Sequence, residues 1–408
     1  MTTKTVLILT DEFPPGFAPR MGYLSKYLAE NSWKGIAIST VSNERSNFDF
    51  LSGYIPCEKI CFSKQQRKSI LKKMIGFFFP QMRGPWGAHK KMKYLTKKII
   101  SKEQIDIILS STSGSLFSHS NACKIAKKYK TPWIADLRDI YEQFPAKRHF
   151  LNELYLKISI RKRNQLLKTA DTITTVSKRH VEILSNYGLK AHCIYNGADT
   201  EIFLPAKYHN LDKFRIVYTG RMGTTTRDVS PLFSAIQQLF IDGDIDSNNC
   251  RIQFYTNFAS QKIVNEQKML LGVSDFIDCF NFVSATEIPK ILNGSSILLL
   301  LLNGGSEGIM TTKFFEYLAV GRPILCIQSN IEYEGEVNMI INNSDAGIAA
   351  KSIDDIKLFI KSKYKEWLKT GYTNSNINWD YIKNFTRAYS AKQFVELFDT
   401  ILDDKNKA

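Results

Sequence analysis

Ser306-Glu307-Gly308-Ile309-Met310-Thr311-Thr312-Lys313-Phe314-Phe315-Glu316-Tyr317-Leu318-Ala319-Val320-Gly321-Arg322-Pro323 lies between two apolar runs, and those runs decide how it reads. On its amino side, Ile297-Leu298-Leu299-Leu300-Leu301-Leu302 is too apolar for a strand with one wet face, so it belongs in a sheet covered on both faces. On its carboxyl side, Ile324-Leu325-Cys326-Ile327 has the same character. Between them a loop of small residues leads into a helix from about Thr311 to Val320, which Gly321 and Pro323 close. The segment is either a plain β-α-β crossover or one whose helix N-terminus receives a phosphate, because such an end offers unpaired N–H groups and positive dipole charge.

Working outward, the same alternation recurs. Toward the amino end, Phe214–Tyr218 reads as a strand that runs into Thr219-Gly220-Arg221-Met222-Gly223-Thr224-Thr225-Thr226-Arg227-Asp228. Small residues and two arginines at a strand end form a second anion-shaped site, since a guanidinium pairs bidentately with phosphate oxygens. The spacing predicts a helix over about Pro231–Phe240 and strands at Arg251–Tyr255 and Ile277–Phe282. Beyond the central crossover come Gly347–Ala349, a helix near Ile353–Leu368 and an amphipathic helix over about 385–402.

The first half repeats the pattern. Strands are expected at Thr5–Thr10, Gly35–Val41, Ile105–Leu109, from Trp133, and at Thr172–Val176, with Ser177 capping the next helix. Thr5–Thr10 ends in Asp11-Glu12-Phe13-Pro14-Pro15-Gly16, where Gly16 lets backbone approach an anion. Its spacing is not the dinucleotide fingerprint. Asp136-Leu137-Arg138-Asp139 places three charges at a strand end, read as exposed and either functional or mutually paired. Pro205 and polar neighbours mark a linker, so the expected domains are 1–204 and 205–384, with the 385–402 helix returning to the first. The fold class is α/β: two doubly wound Rossmann-like domains and a cleft between them.

Charge divides unevenly. The whole chain carries +16, but residues 1–200 hold 33 Lys+Arg against 15 Asp+Glu, whereas residues 201–408 hold 22 against 24. Residues 59–102 alone contain thirteen basic residues and no acidic one, interleaved with apolar and aromatic side chains. That stretch suits an anionic membrane surface or an anionic lipid-linked substrate; the alternative is a solvated basic face whose apolar residues pack inward. No helix-turn-helix, zinc-finger or RNA-binding signature accompanies it, so nucleic acid is not expected. Seven scattered cysteines fit a reduced, cytoplasmic compartment. No run reaches the roughly 20 apolar residues that span a bilayer.

Ile194-Tyr195-Asn196-Gly197-Ala198-Asp199, then Tyr218-Thr219-Gly220-Arg221, then Glu307-Gly308 through Lys313-Phe314-Phe315-Glu316-Tyr317-Leu318-Ala319-Val320-Gly321-Arg322-Pro323 together resemble the GT-B glycosyltransferases. More narrowly they are similar to the retaining family-4 group that builds bacterial surface polysaccharides. Phe13-Pro14-Pro15 and Pro132–Asp139 also fit it. The resemblance implies a UDP-, GDP- or dTDP-linked sugar donor, a glycan or lipid-linked acceptor, and retention of configuration. It places Arg221 on the donor diphosphate, with Arg227 where the family has a lysine, and Glu316 on the nucleotide ribose. Glu307 stands one residue out of the family's register for its first acid. Gly16, Gly220, Gly308, Ile309, Met310, Thr311, Thr312 and Lys313 complete the expected donor site, and Arg20 and Arg138 the acceptor side. Where the family presents a histidine this chain has Arg138 and Asp139, and Asp139 is taken as a catalytic candidate that orients an acceptor hydroxyl.

No cofactor and no metal are expected. The Asp-x-Asp pattern occurs in Asp242-Gly243-Asp244-Ile245-Asp246, within a polar run that reads as a solvated loop. A protein of this shape that binds a nucleotide sugar or anionic glycan without turning it over is the alternative reading.

Overall fold

Two all-parallel sheets carry the architecture of the computed structural model, which describes residues 3–40, 48–60, 79, 87–143, 150–205, 210–222, 227–302, 308–328 and 335–407. The chain divides into two compact units, 1–196 with 387–408 and 197–386.

The first unit contains β1 (Lys4–Thr10), α1 (Pro19–Leu28), β2 (Trp33–Thr40), β3 (Cys57–Ile60), α2 (Ala88–Ile100), β4 (Ile107–Ser113), α3 (Phe117–Tyr129), β5 (Trp133–Asp139), α4 (Phe150–Leu167), β6 (Thr172–Thr175), α5 (Lys178–Ser185) and β7 (Ala191–Cys193). Its sheet runs β3-β2-β1-β4-β5-β6-β7, so the order reverses between β1 and β4. Alternate residues of β1 feed two cores, as the period of a strand requires. Leu7 and Leu9 pack with Met92, Leu95 and Ile99 of α2, while Val6 and Ile8 pack with Met21, Leu24 and Leu28 of α1.

The second unit contains β8 (Phe214–Thr219), α6 (Ser230–Ile241), β9 (Cys250–Tyr255), α7 (Phe258–Leu270), β10 (Ile277–Phe280), α8 (Ile288–Asn293), β11 (Ile297–Leu302), α9 (Thr312–Val320), β12 (Ile324–Gln328), α10 (Glu336–Ser344), β13 (Gly347–Ala350), α11 (Ile353–Thr370) and α12 (Trp379–Ile382). Its sheet runs β10-β9-β8-β11-β12-β13 and reverses between β8 and β11. Five of the six residues of β11 are buried, as its unbroken apolar run predicts, with Ile297, Leu299 and Leu301 in one core beside Ile216 and Phe254. Gly321 ends α9 in the left-handed conformation, its N–H donating to the Tyr317 carbonyl at 3.1 Å. A Cβ there would meet the Trp379 ring at 2.7 Å, so both conformation and space demand glycine.

The last helix, α13 (Arg387–Lys407), belongs to the first unit. Phe394 and Phe398 fill the core beneath β1, Phe398 meets Trp33 edge-on at 5.1 Å, and Lys4 pairs with Asp399 at 2.6 Å. Both sheets are doubly wound, as the sequence pattern implies.

One expectation is corrected here. Asp136 is neither exposed nor paired with Arg138: it is fully buried, and Arg20 of α1 binds it through Nε at 3.1 Å and Nη2 at 2.9 Å. Ser111 and Thr174 also donate to its carboxylate, at 2.7 and 2.8 Å. Burial by itself would raise this carboxyl; the Arg20 charge and the three donors outweigh it and hold the group below the usual carboxylate value. The remaining Arg20 nitrogen donates to the Ile194 carbonyl at 2.9 Å. Arg20 thereby joins α1, β5 and the end of the first unit, and this structural task replaces the acceptor role expected of it.

Arg20→Leu leaves Asp136 buried without its cation and should cost about 3–5 kcal/mol, the usual result of breaking a buried pair from one side. Chemical denaturation of the variant checks this; a loss below about 1 kcal/mol contradicts it.

Candidate functional site

In open parallel sheets ligands gather beyond the carboxyl ends of the strands, at the point where strand order reverses. In the second unit that point lies between the loops after β8 and β11, which carry Gly220, Arg221 and Arg227 on one side and Gly308–Lys313 on the other. Glu307 and residues 223–226 fall outside the described residues.

Lys313 is the centre of this arrangement. It is the second residue of α9, and its Nζ lies out of contact with solvent with no hydrogen-bond partner. The ammonium sits 4.1 Å from the centroid of the Tyr218 ring, whose face supplies weak attraction in place of an acceptor. Burial first, and then the charge of Arg227, pull it down to about 7, while Glu316 acts in the opposite sense. Gly220, at φ 119°, passes so close that a Cβ would lie 2.5 Å from Nζ. Its own N–H donates to the Tyr255 carbonyl at 2.9 Å, which fixes the loop against β9.

Arg227 donates to the carbonyl of Arg221 through Nη1, and its Nε is buried without a partner. The Tyr218 hydroxyl donates to the same Arg221 carbonyl at 2.7 Å. The Arg221 side chain is exposed, 6.0 Å from the Phe282 ring centroid. Across the gap Gly308 is in the left-handed conformation and Thr311 precedes α9 with no side-chain cap, its Oγ1 buried and unpaired. Ile309 and Thr312 are half-buried, Met310 is buried, and Glu316 lies one turn beyond Lys313. Three cationic groups, unpaired donors and a helix N-terminus thus converge on one strand edge. An anion placed there gains charge-assisted hydrogen bonds and relieves a cation that the protein leaves unpaired.

The first unit presents a different edge. Gly16 is buried in the loop after β1 and donates to the Phe13 carbonyl at 3.0 Å. Arg138 and Asp139 end β5, both half-buried, and the Asp139 carboxylate accepts from Gln143 Nε2 at 2.8 Å. Asp11, at the end of β1, joins them as a group that sequence reasoning passed over. Burial pushes its carboxyl above the usual range, opposed by hydrogen bonds from Ser118, at 2.7 Å, and Ser115 and by the charge of Arg138. Its position directly after an apolar strand was the available signal. The nearby histidine, His119, is fully buried, bonded to Ser110 Oγ at 2.7 Å and held neutral, so it serves the core.

Among the described residues no three acidic, histidine or cysteine side chains are placed to hold a metal ion. Asp242 and Asp244 pair with Lys357 and Lys361 at 3.4 and 2.6 Å, and Asp246 accepts from the Tyr364 hydroxyl at 2.9 Å. These carboxylates precede β9, at the amino edge of the sheet.

Residues 60–202 match the model of Glycosyltransferase Family 4. No curated protein matches the sequence significantly. Among solved structures, a glycosyltransferase from Rickettsia africae aligns with a TM-score of 0.66 at 15% identity, over 98% of this chain and 99% of that one. The lipopolysaccharide outer core galactosyltransferase WaaB aligns at 0.59 and 13%, over 98% and 99%. A UDP-N-acetylglucosamine 2-epimerase aligns at 0.54 and 13%, over 97% and 95%. At such identities the likeness is one of fold. The chain thus has the GT-B architecture, and its residues 60–202 are similar to the family-4 model.

Gly220→Ala should displace Lys313 and strain the loop together. Nucleoside diphosphate binding, measured by calorimetry, is expected to weaken at least about tenfold, the cost of losing one charge-assisted contact. Affinity equal to the parent's would remove Gly220 and Lys313 from the site.

Proposed function

We propose that this chain, with its family-4 segment and GT-B fold, transfers a sugar from a nucleoside diphosphate donor to a glycan or lipid-linked acceptor. The unpaired, buried Lys313 ammonium beside Gly220 carries this reading. An inert crossover gains nothing from a desolvated cation with no hydrogen-bond acceptor, whereas a diphosphate supplies one.

In the proposed reaction the acceptor oxygen forms a bond to C1 of the sugar, the bond from C1 to the phosphate oxygen breaks, and the acceptor hydroxyl's proton passes to that departing oxygen. The electron pair leaves with the nucleoside diphosphate, whose charge is taken up by Arg221, Arg227, Lys313 and the first amides of α9. Preorganised donors of this kind each lower a barrier by about 2–4 kcal/mol. Glu316 is assigned to the nucleotide ribose and Glu307 to the sugar or phosphate, both through the family resemblance. Asp139 is assigned to orienting the acceptor hydroxyl, with Asp11 and Arg138 on the same edge of the first sheet. Retention of configuration and a place in surface polysaccharide synthesis are part of the proposal through the same resemblance. No metal is assigned to the step, because the only Asp-x-Asp run is ion-paired at the opposite edge of its sheet. Transfer is expected to persist in chelator.

The membrane proposal concerns the basic stretch. Within it, Lys90, Lys91, Lys93, Lys97 and Lys98 lie on the exposed face of α2 with Tyr94, while Met92, Leu95 and Ile99 pack inward. The apolar residues of α2 thus follow the inward-packing alternative; Lys98 pairs with Glu58 at 3.2 Å, and the other four lysines are exposed for anionic lipid. Lys64, Arg67, Lys68, Lys72 and Lys73 lie outside the described residues. We assign the protein to the cytoplasmic side of a membrane, held by charge. Among the described residues no helix is long and apolar enough to cross one.

Two measurements test these assignments. In a transfer assay over UDP-, GDP- and dTDP-sugars, Arg221→Ala should lower turnover about 10²–10³-fold; unchanged turnover in Arg221→Ala and Glu316→Ala would refute the site. The same assay separates the non-catalytic alternative, which predicts donor binding without turnover in the parent. In flotation with anionic liposomes, neutralising Lys90, Lys91, Lys93 and Lys97 should abolish binding at physiological salt; retained binding would refute the membrane assignment.

A further inference from the structure

Buried polar atoms without a partner are rare in folded proteins, and each one calls for a reason. In the second unit most of those among the described residues follow the carboxyl ends of its strands: Arg227 Nε, Thr256 Oγ1, Thr311 Oγ1, Lys313 Nζ, Gln328 Oε1 and both side-chain atoms of Asn338. Their chemistry changes along the edge. Around β8 and β11 the unpaired groups include cations, Arg227 and Lys313, which the proposed diphosphate satisfies. One strand further, at the end of β12 and the first turn of α10, they are uncharged carboxamides.

Gln328 is the last residue of β12 and pairs in register with Leu302 of β11, so it stands about 5 Å from the strand whose loop feeds α9. Asn338 occupies the third position of α10 and is only 5% exposed, yet neither its Oδ1 nor its Nδ2 has a partner. An unsatisfied buried polar group costs about 1–3 kcal/mol. A leucine would fit such a position without that cost. The helix start alone would carry no inference, but here a buried amide with both ends unpaired stands on its first turn.

We propose that Asn338, with Gln328, forms the subsite that reads the sugar of the donor, and that this sugar is a neutral polyol. The inference rests on the proposed donor reading of the Lys313 site and deepens it. A carboxamide presents one acceptor and two donor hydrogens, and sugar hydroxyls both donate and accept, so two hydroxyls satisfy both ends of Asn338. Gln328 Oε1 accepts from a further hydroxyl. A uronic or otherwise acidic sugar is disfavoured because the two unpaired groups are uncharged amides and an acidic residue, Glu336, stands on the same turn. Asn338 therefore acts as a specificity-determining residue for the part of the donor that the cationic site does not reach.

Calorimetric titrations with UDP, GDP and dTDP, and with UDP-glucose, GDP-mannose and dTDP-glucose, test this. For the base that binds, Asn338→Ala should weaken the sugar conjugate about tenfold, the usual penalty for a lost ligand hydrogen bond. It should leave the bare diphosphate within about twofold of the parent. Asn338→Leu, without ligand, should melt no lower than the parent, because it removes an unpaired amide; a structural asparagine would give a lower melting temperature. The inference is overturned if Asn338→Ala weakens diphosphate and conjugate equally, if it weakens neither, or if Asn338→Leu melts lower. A parent protein that binds none of the diphosphates overturns the donor reading itself, which separates the two failures.

Discussion

An ammonium with no hydrogen-bond acceptor, held against the Tyr218 ring, is the constraint on which the second unit's chemistry depends. Desolvating a cation is costly, and an aromatic face returns only a small part of that cost. The protein maintains Lys313 in this state through several choices that act together. Gly220 leaves room where any side chain would collide, and Gly321 ends α9 against Trp379. Stability is given up at one strand edge, and under the proposed reading the site is thereby arranged before an anion arrives. Such preorganisation is what makes donors effective when charge develops in a reaction.

The first unit applies the opposite rule to its own buried charge. Arg20 and Asp136 satisfy each other almost completely, with Ser111, Thr174 and the Ile194 carbonyl taking up the remaining bonds. A pair closed in this way has nothing left for a ligand, and it fixes register between α1, β5 and the end of the unit. The contrast separates structural from functional charge in the same molecule. Where every donor has an acceptor the role is architectural, and where donors are buried and unpaired a ligand is called for.

Much of the fold was legible because its strands are buried on both faces. Runs such as Val6–Leu9 and Ile297–Leu302 have no other stable home, and Ser177 and Gly321 mark helix ends by their own chemistry. The short strand Cys57–Ile60 was not legible, since four residues of mixed polarity carry no period. Arg221, Arg227 and Lys313 could be named from local pattern, but the environment that gives Lys313 its properties comes from Tyr218 and Gly220, more than ninety residues away in the chain. Asp136 misled for the same reason: a charge at a strand end reads as exposed until its partner on another element is known. Asp11 and Asn338 carry no motif. Only their burial and their partners, or lack of them, distinguish them.

The central claim is that Lys313 awaits a phosphate. In the free protein its ammonium titrates near 7, and a bound diphosphate, by supplying negative charge, raises that value. Above the free value the lysine must therefore take up a proton when the ligand binds, and affinity must fall as pH rises. Calorimetric titration of a nucleoside diphosphate near pH 8, in buffers of different ionisation enthalpy, measures that uptake directly. The account predicts close to one proton gained per ligand bound (about one unit above the free value most of the lysine is neutral), and loss of that uptake in Lys313→Met. Binding without proton uptake, or uptake that survives in Lys313→Met, would contradict it.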